Sequence, residues 1–255
     1  MIFYFSATGN SKHVASRIAA GMGEDIVAIA DCVKEQKLTF EAEEGEKIGF
    51  VAPVYFWGLP STVRDFLEDL ELRILTPRRP YIYHVATFGT TTGQAGRMVD
   101  EVLRKKGLSL DGRFSVRMPD TWTPVFDLTD RSRIEKMNRE AEKEIAEVVE
   151  NIRRGSVGDL SRRKVPLALV RLYYPRYETY RRTQNFTVED SCIGCGLCAR
   201  KCPAEAIEMR EGRPAWVKEK CVLCLGCLHR CPKFSIQYGK GTKKHGQYIN
   251  PNVEM

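Results

Sequence analysis

The chain's 255 residues, 43% hydrophobic and 29% charged, have the composition of an ordinary globular protein, long enough for one core of roughly 150 residues and a smaller appendage. No apolar run approaches the roughly 20 residues of a membrane-spanning helix, and the opening Ile2-Phe3-Tyr4-Phe5 has none of the features of a secretory leader, so a reducing cytoplasm is the expected compartment. The formal charge of +7 comes with no nucleic-acid-binding motif, which excludes the commonest reading of a basic chain.

Short β-rich runs alternate with helical patterns through the first 150 residues, the form of a parallel sheet wrapped by helices. The predicted strands are Ile2 to Phe5, Asp25 to Ile29, Lys47 to Val54, Tyr81 to Thr87 and Arg113 to Met118. Val14, Ile18, Ala19 and Met22 mark the apolar face of a first helix, and Val63, Phe66, Leu67 and Leu70 that of a second. A third helix fits Val99 to Lys105, and a long amphipathic one runs from about Asp130 to Arg154, stopping near Gly155. Cys32 reads as a spare thiol.

The first strand runs straight into Ser6-Ala7-Thr8-Gly9-Asn10-Ser11 and a helix, where a doubly wound sheet presents amides to a phosphate. Gly9 permits the tight turn, Ser6, Thr8 and Ser11 carry hydroxyls, and Asn10 an amide. An ordinary capped turn explains one such residue but not the hexapeptide. Lys12 and His13 beside it read as helix-surface residues. This S-x-T-G-N-S element resembles the phosphate loop of flavodoxins. Over residues 1 to 152 the resemblance implies an α/β, flavodoxin-like doubly wound sheet of five parallel strands in order 2-1-3-4-5, with FMN at its carboxyl edge.

The third strand ends in Pro53-Val54-Tyr55-Phe56-Trp57-Gly58. Trp57-Gly58 is similar to the Trp-Gly of some flavodoxins, which implies an indole on the flavin ring and a glycine peptide able to flip. Pro53-Val54-Tyr55 is equally similar to the P-x-Y of flavin reductases of this fold, leaving the register open by a residue. After the fourth strand, Thr87-Phe88-Gly89-Thr90-Thr91-Thr92-Gly93 takes the place of the third flavin loop, so Thr87, Phe88, Gly89, Thr90 and Gly93 join the expected FMN site. The tyrosine that covers the second flavin face in many flavodoxins has no equivalent here beyond Phe88, which leaves one face open. Basic surroundings, unlike those of acidic flavodoxins, would stabilise reduced, anionic FMN.

Residues 153 to 184 form a basic, Tyr-rich connector, with Pro166 and Pro175. Two readings stand: a semi-ordered linker whose tyrosines pack between domains, or a docking surface for an acidic partner.

Of nine cysteines, eight fall between Cys192 and Cys231. Cys192, Cys195, Cys198, Cys202-Pro203 and Cys221, Cys224, Cys227, Cys231-Pro232 superpose on a shift of 29 residues, as do Val188 on Val217 and Ile207 on Ile236. Paired C-x-x-C can bind zinc, but the doubled set of four with its trailing proline resembles bacterial 2(4Fe-4S) ferredoxins. The resemblance implies two 4Fe-4S clusters in a small α+β domain over residues 185 to 255, ending in a basic tail. It assigns Cys192, Cys195, Cys198 and Cys231 to cluster I, and Cys221, Cys224, Cys227 and Cys202 to cluster II. Gly194 and Gly196 in the first repeat become Leu223 and Leu225 in the second, so the two clusters are expected to differ. His229 reads as a surface residue, the ligand positions being filled.

The whole arrangement resembles flavodoxin-ferredoxin fusion proteins of anaerobic prokaryotes. The first expectation is an electron-transfer iron-sulfur flavoprotein relaying electrons between the clusters and FMN and exchanging them with a redox protein partner, an acidic one where the basic connector docks it. The alternatives are a flavin-dependent reductase of a small substrate fed by the clusters, and a flavin-free docking module attached to a ferredoxin. No catalytic acid-base pair and no nicotinamide fingerprint is evident.

Overall fold

Runs such as Lys47–Pro53 and Tyr81–Phe88 are apolar at nearly every position because both faces of the sheet they join are covered. The computed structural model describes residues 1–254. Its first part contains β1 (Ile2–Tyr4), α1 (Asn10–Met22), β2 (Ile26–Ala28), α2 (Ile29–Glu35), β3 (Thr39–Ala42) and β4 (Lys47–Pro53). It continues with α3 (Ser61–Asp69), β5 (Glu71–Ile74), β6 (Tyr81–Phe88), α4 (Ala95–Lys105), β7 (Gly112–Arg117) and α5 (Arg131–Arg153). A short β8 (Gly158–Asp159) follows.

The main sheet is parallel, in order β2-β1-β4-β6-β7-β8. The five expected strands keep the expected order, and β8 extends it to six. β3 and β5 form a separate parallel pair. All three additions are short, and β8 is wholly exposed, so none carries an apolar run to read.

Alternation of side chains along a strand divides the core in two. Phe3, Phe50 and Ile82 face Val63, Phe66 and Leu67 of α3 and Val99 and Leu103 of α4. Ile2, Val51, Val85 and Val116 face Val14 and Ile18 of α1 and Ala141, Ile145 and Ile152 of α5. Each of these buried side chains larger than alanine contributes about 1.5–3 kcal/mol. Asp130 caps α5, its carboxylate accepting from the Arg133 N–H at 3.0 Å. Cys32 is a buried member of the first core.

The second part contains α6 (Leu167–Tyr173), α7 (Arg176–Tyr180), β9 (Phe186–Val188), α8 (Leu197–Arg200), β10 (Ile207–Arg210), β11 (Arg213–Trp216), α9 (Gly226–His229) and β12 (Ile236–Tyr238). β9 pairs antiparallel with β12, and β10 with β11. The two halves of the cysteine repeat therefore each supply one short helix and strands to two hairpin-like pairs. Tyr177 of α7 is fully buried between the parts: its hydroxyl donates to the Val222 carbonyl at 2.6 Å and accepts from the Ser61 N–H at 3.3 Å. Tyr174 Oη donates to the Leu59 carbonyl at 2.7 Å. No helix among the described residues is long and apolar enough to cross a membrane.

Candidate functional site

At the carboxyl edge of the sheet, where β1 and β4 hand over to their loops, lies a cavity of about 260 Å³. Of the residues expected there, Ser6, Ala7, Thr8, Asn10, Ser11, Pro53, Val54, Tyr55, Phe56, Trp57, Thr87, Phe88, Gly89 and Thr90 line it. Gly9, Gly58 and Gly93 do not. Gly9 lies beneath Val253 and Asn250, and Gly58 against the Tyr174 ring. Gly93 packs on the Trp57 carbonyl, which a β-carbon at position 93 would meet at 2.0 Å.

The Ser6 to Ser11 loop is pinned by its own polar groups. Ser6 Oγ accepts from the Gly9 N–H at 3.1 Å, and Ser11 Oγ and Thr87 Oγ1 share a hydrogen bond of 2.8 Å. Asn10 Nδ2 donates to the Pro119 carbonyl at 3.1 Å, so this amide holds two loops together. Among the described residues nothing accepts from the backbone N–H groups of Ala7, Thr8, Asn10 or Ser11. They are orphan donors at the start of a long helix, suited to an anion.

Tyr55 to Gly58 closes a tight turn: Tyr55 N–H donates to the Gly58 carbonyl and Gly58 N–H to the Tyr55 carbonyl. Its corners are Phe56 and Trp57, both left-handed (φ 49° and 66°), so the flexible glycine expected there is displaced by one residue. Bulky residues in this region are strained, and the strain is held by stacking. Trp57 lies 4.3 Å from Tyr173, and Phe56 contacts Tyr173, Tyr177, Tyr180 and Trp122 at centroid distances of 5.3–5.8 Å.

Besides Thr91 of the third loop, three groups of lining residues escaped the sequence reading: Met118 to Trp122 with Val125 and Phe126 after β7, Tyr173 of α6, and Leu223, Cys224 and Leu225 of the second cysteine repeat. The only available signal for the first was position, since it follows a strand of the same sheet edge. Tyr173 supplies from the connector an aromatic wall in addition to Phe88 of the third loop. The lining holds no Lys or Arg, so the chain's positive charge is not in the cavity; Asp120 is its only carboxylate. Burial pushes Asp120 up to about 6, opposed by the Trp122 N–H that its Oδ1 accepts at 3.1 Å.

The segment after β12 returns to this site. Asn250 N–H donates to the Thr8 carbonyl at 2.8 Å, and Asn250 Nδ2 and Tyr248 Oη both donate to Asn10 Oδ1, at 3.1 and 2.9 Å. His229 is buried, not on the surface as its sequence context implied. Its Nδ1 accepts from the Tyr248 N–H at 3.2 Å, so the hydrogen sits on Nε2, which donates to the Thr121 carbonyl at 2.9 Å. Burial pushes this imidazole down to about 4.

Cys192, Cys195, Cys198 and Cys231 frame one small cavity with Ile193, Met209 and Pro214. In the second site, burial first, then the neighbouring thiols Cys224 and Cys202, pushes the Cys221 thiol up to about 12. Cys224 and Cys227 are raised for the same reasons, with Cys202 again beside them. Cys202 and Cys231 have thus changed places between the repeats. Each accepts one N–H four residues on: Ala206 to Cys202 Sγ at 3.4 Å, Ser235 to Cys231 Sγ at 3.3 Å. Left-handed backbone recurs at Gly194 and Leu223, Gly196 and Leu225, and Glu205 and Phe234, each pair 29 residues apart. A β-carbon at Gly194 would meet the Gly212 carbonyl at 2.7 Å, whereas Leu223 and Leu225 are buried and turn toward the large cavity. The second repeat accepts left-handed strain to place apolar walls there.

A flavodoxin-domain family model matches residues 1–146, and a 4Fe-4S dicluster-domain model matches residues 191–236. The chain belongs to the flavodoxin family, fused to a dicluster ferredoxin domain. The fusion's domains imply FMN and two 4Fe-4S clusters and make it an FMN and iron-sulfur electron-transfer protein. The residues fit these groups: orphan N–H donors and aromatic walls for a phosphorylated flavin, and two sets of four thiols for cubanes. Remote likenesses to solved structures accompany this. A Trp repressor binding protein from Bacillus subtilis is 11% identical over 59% of the fusion and 98% of its own chain, TM-score 0.38. Rubredoxin oxygen:oxidoreductase from Desulfovibrio gigas is 16% identical over 58% and 35%, TM-score 0.33. A flavone reductase is 14% identical over 85% and 80%, TM-score 0.35. No curated protein matches the fusion.

Proposed function

We propose that the protein relays single electrons from an acidic redox partner into cluster I, then through cluster II to FMN, in the cytoplasm. The observation that carries this order is Cys224: a cluster II thiol lines the same cavity as the phosphate loop and the Phe56-Trp57 turn. Cluster I is the outer station, since Cys195 and Ile193 are exposed. Arg200, which donates to the Cys195 carbonyl, and Lys233 beside Cys231 form no ion pair among the described residues, leaving positive charge free for an acidic partner. Cluster ligands Cys192, Cys195, Cys198 and Cys231 serve the outer cubane, and Cys221, Cys224, Cys227 and Cys202 the inner one. The residues lining the cavity hold FMN.

The small-substrate reductase reading needs an open flavin face, and Tyr173 occupies the cavity wall against Trp57. Anaerobic purification with iron, sulfide and flavin analysis, followed by stepwise reduction monitored by absorbance and EPR, tests the relay. About eight irons and one FMN per chain are expected. Flavin that stays oxidised while both clusters are reduced by a low-potential donor would rule the relay out.

A further inference from the structure

Iron-sulfur clusters deliver electrons without protons, whereas a flavin ring takes up protons as it is reduced. A relay ending on FMN therefore needs a proton source within the cavity. Its titratable lining consists of Tyr55, Tyr173, Cys224 and Asp120. Phenols are too weakly acidic to exchange protons readily at neutral pH, and Cys224 is committed to iron. Asp120 remains. Its Oδ1 is engaged by the Trp122 N–H, while Oδ2 accepts no hydrogen bond and meets no cation among the described residues. It packs directly on Gly89, where a β-carbon would come within 2.3 Å of the Asp120 side chain, so the third loop leaves it room.

We propose that Asp120 is the proton-donating residue of the flavin cavity, protonating the flavin as electrons arrive from cluster II. The proposal rests on FMN occupying this cavity. For each electron supplied by the reduced clusters, the Asp120 O–H bond breaks, the proton bonds to the flavin, and the carboxylate regains a proton from solvent. Each electron is thus matched by one proton, so full reduction of the ring takes up two electrons and two protons. Burial, which pushes the carboxyl up to about 6, keeps both of its forms populated near neutral pH. Charged or titratable groups bonded to the neighbouring backbone are Arg117 of β7, whose Nε donates to the Gly89 carbonyl, His229 of α9, bonded to Thr121, and His245, bonded to Thr123. None of the three pairs with Asp120.

The test uses the full-length protein carrying FMN and both clusters. A light-triggered reductant fills the clusters, and flavin reduction is followed by absorbance from pH 5.5 to 8, with infrared difference spectra recorded alongside. The wild type should slow as pH rises above about 6 and show loss of a protonated-carboxyl band. Asp120→Asn should remove that band, flatten the pH profile and slow flavin reduction by about 10²-fold, with Asp120→Glu restoring a pH dependence. An unchanged pH profile in Asp120→Asn overturns the proposal. So does a wild type with bound, reducible FMN and no carboxyl signal, a measurement that stands even if the variant loses FMN. Absence of FMN from the wild type would instead defeat the flavin reading itself.

Discussion

His229 Nε2 donates to the Thr121 carbonyl across 2.9 Å, joining α9, the helix that carries Cys227, to the loop that walls the proposed flavin cavity. Because the other ring nitrogen accepts from Tyr248, one buried imidazole satisfies two backbone groups from distant segments. Replacing it with Ala strands both and leaves a hole, at a cost of about 2–4 kcal/mol. Anaerobic thermal melts should show that loss, and fluorescence titration should show weaker FMN binding in His229→Ala.

The proposed exchange of the fourth ligands predicts a crossed phenotype. Cys202→Ala, in the first repeat, should damage the inner cluster formed by the second, and Cys231→Ala the outer one. EPR of the reduced variants distinguishes the clusters. Flavin reduction by a partner should fall by at least about tenfold in Cys202→Ala, because the cubane beside the cavity is the one impaired.

Leu223→Gly and Leu225→Gly relieve left-handed strain of about 1–2 kcal/mol but forfeit buried apolar area worth about 2–3 kcal/mol. A net loss of about 1 kcal/mol in stability is expected for each. Water admitted to cluster II favours its more negatively charged, reduced form, so its potential should rise, which a spectroelectrochemical titration would read.

His84 lies in β6 with neither ring nitrogen hydrogen-bonded, and burial, then nearby Arg113, pushes it down to about 3. Its folded value lies below the unfolded one, so the unfolded chain takes up a proton that the folded chain refuses. Stability is therefore lost as pH falls below about 6.5. Between pH 7 and 5.5 the wild type should lose about 1 kcal/mol more than His84→Phe, measured by urea unfolding. Equal losses in the two proteins would show that another group governs the acid response.

The central strands could be read because burial on both faces demands unbroken apolar runs, and the cysteines because iron requires their spacing. β3, β5 and β8 are too short and polar to announce themselves. Only its place after β7 marks Asp120, and nothing local marks Tyr173 or Tyr248, which reach the site through contacts between distant segments. The displacement of the turn corners onto Phe56 and Trp57 was hidden for a related reason: stacking with Tyr173 and Tyr177, far along the chain, overrides the local preference for glycine. Leu223 and Leu225 stood out as departures from the first repeat, but their purpose shows only when the two domains meet.

Asn10 and Asn250, joined side chain to side chain, are 240 positions apart. On the ribosome the flavin loop emerges long before the segment that braces it, and both cysteine repeats must be translated in between. On the proposed FMN site, a nascent or truncated polypeptide lacks this brace, and firm retention of the coenzyme should wait until the iron-bearing half has been made.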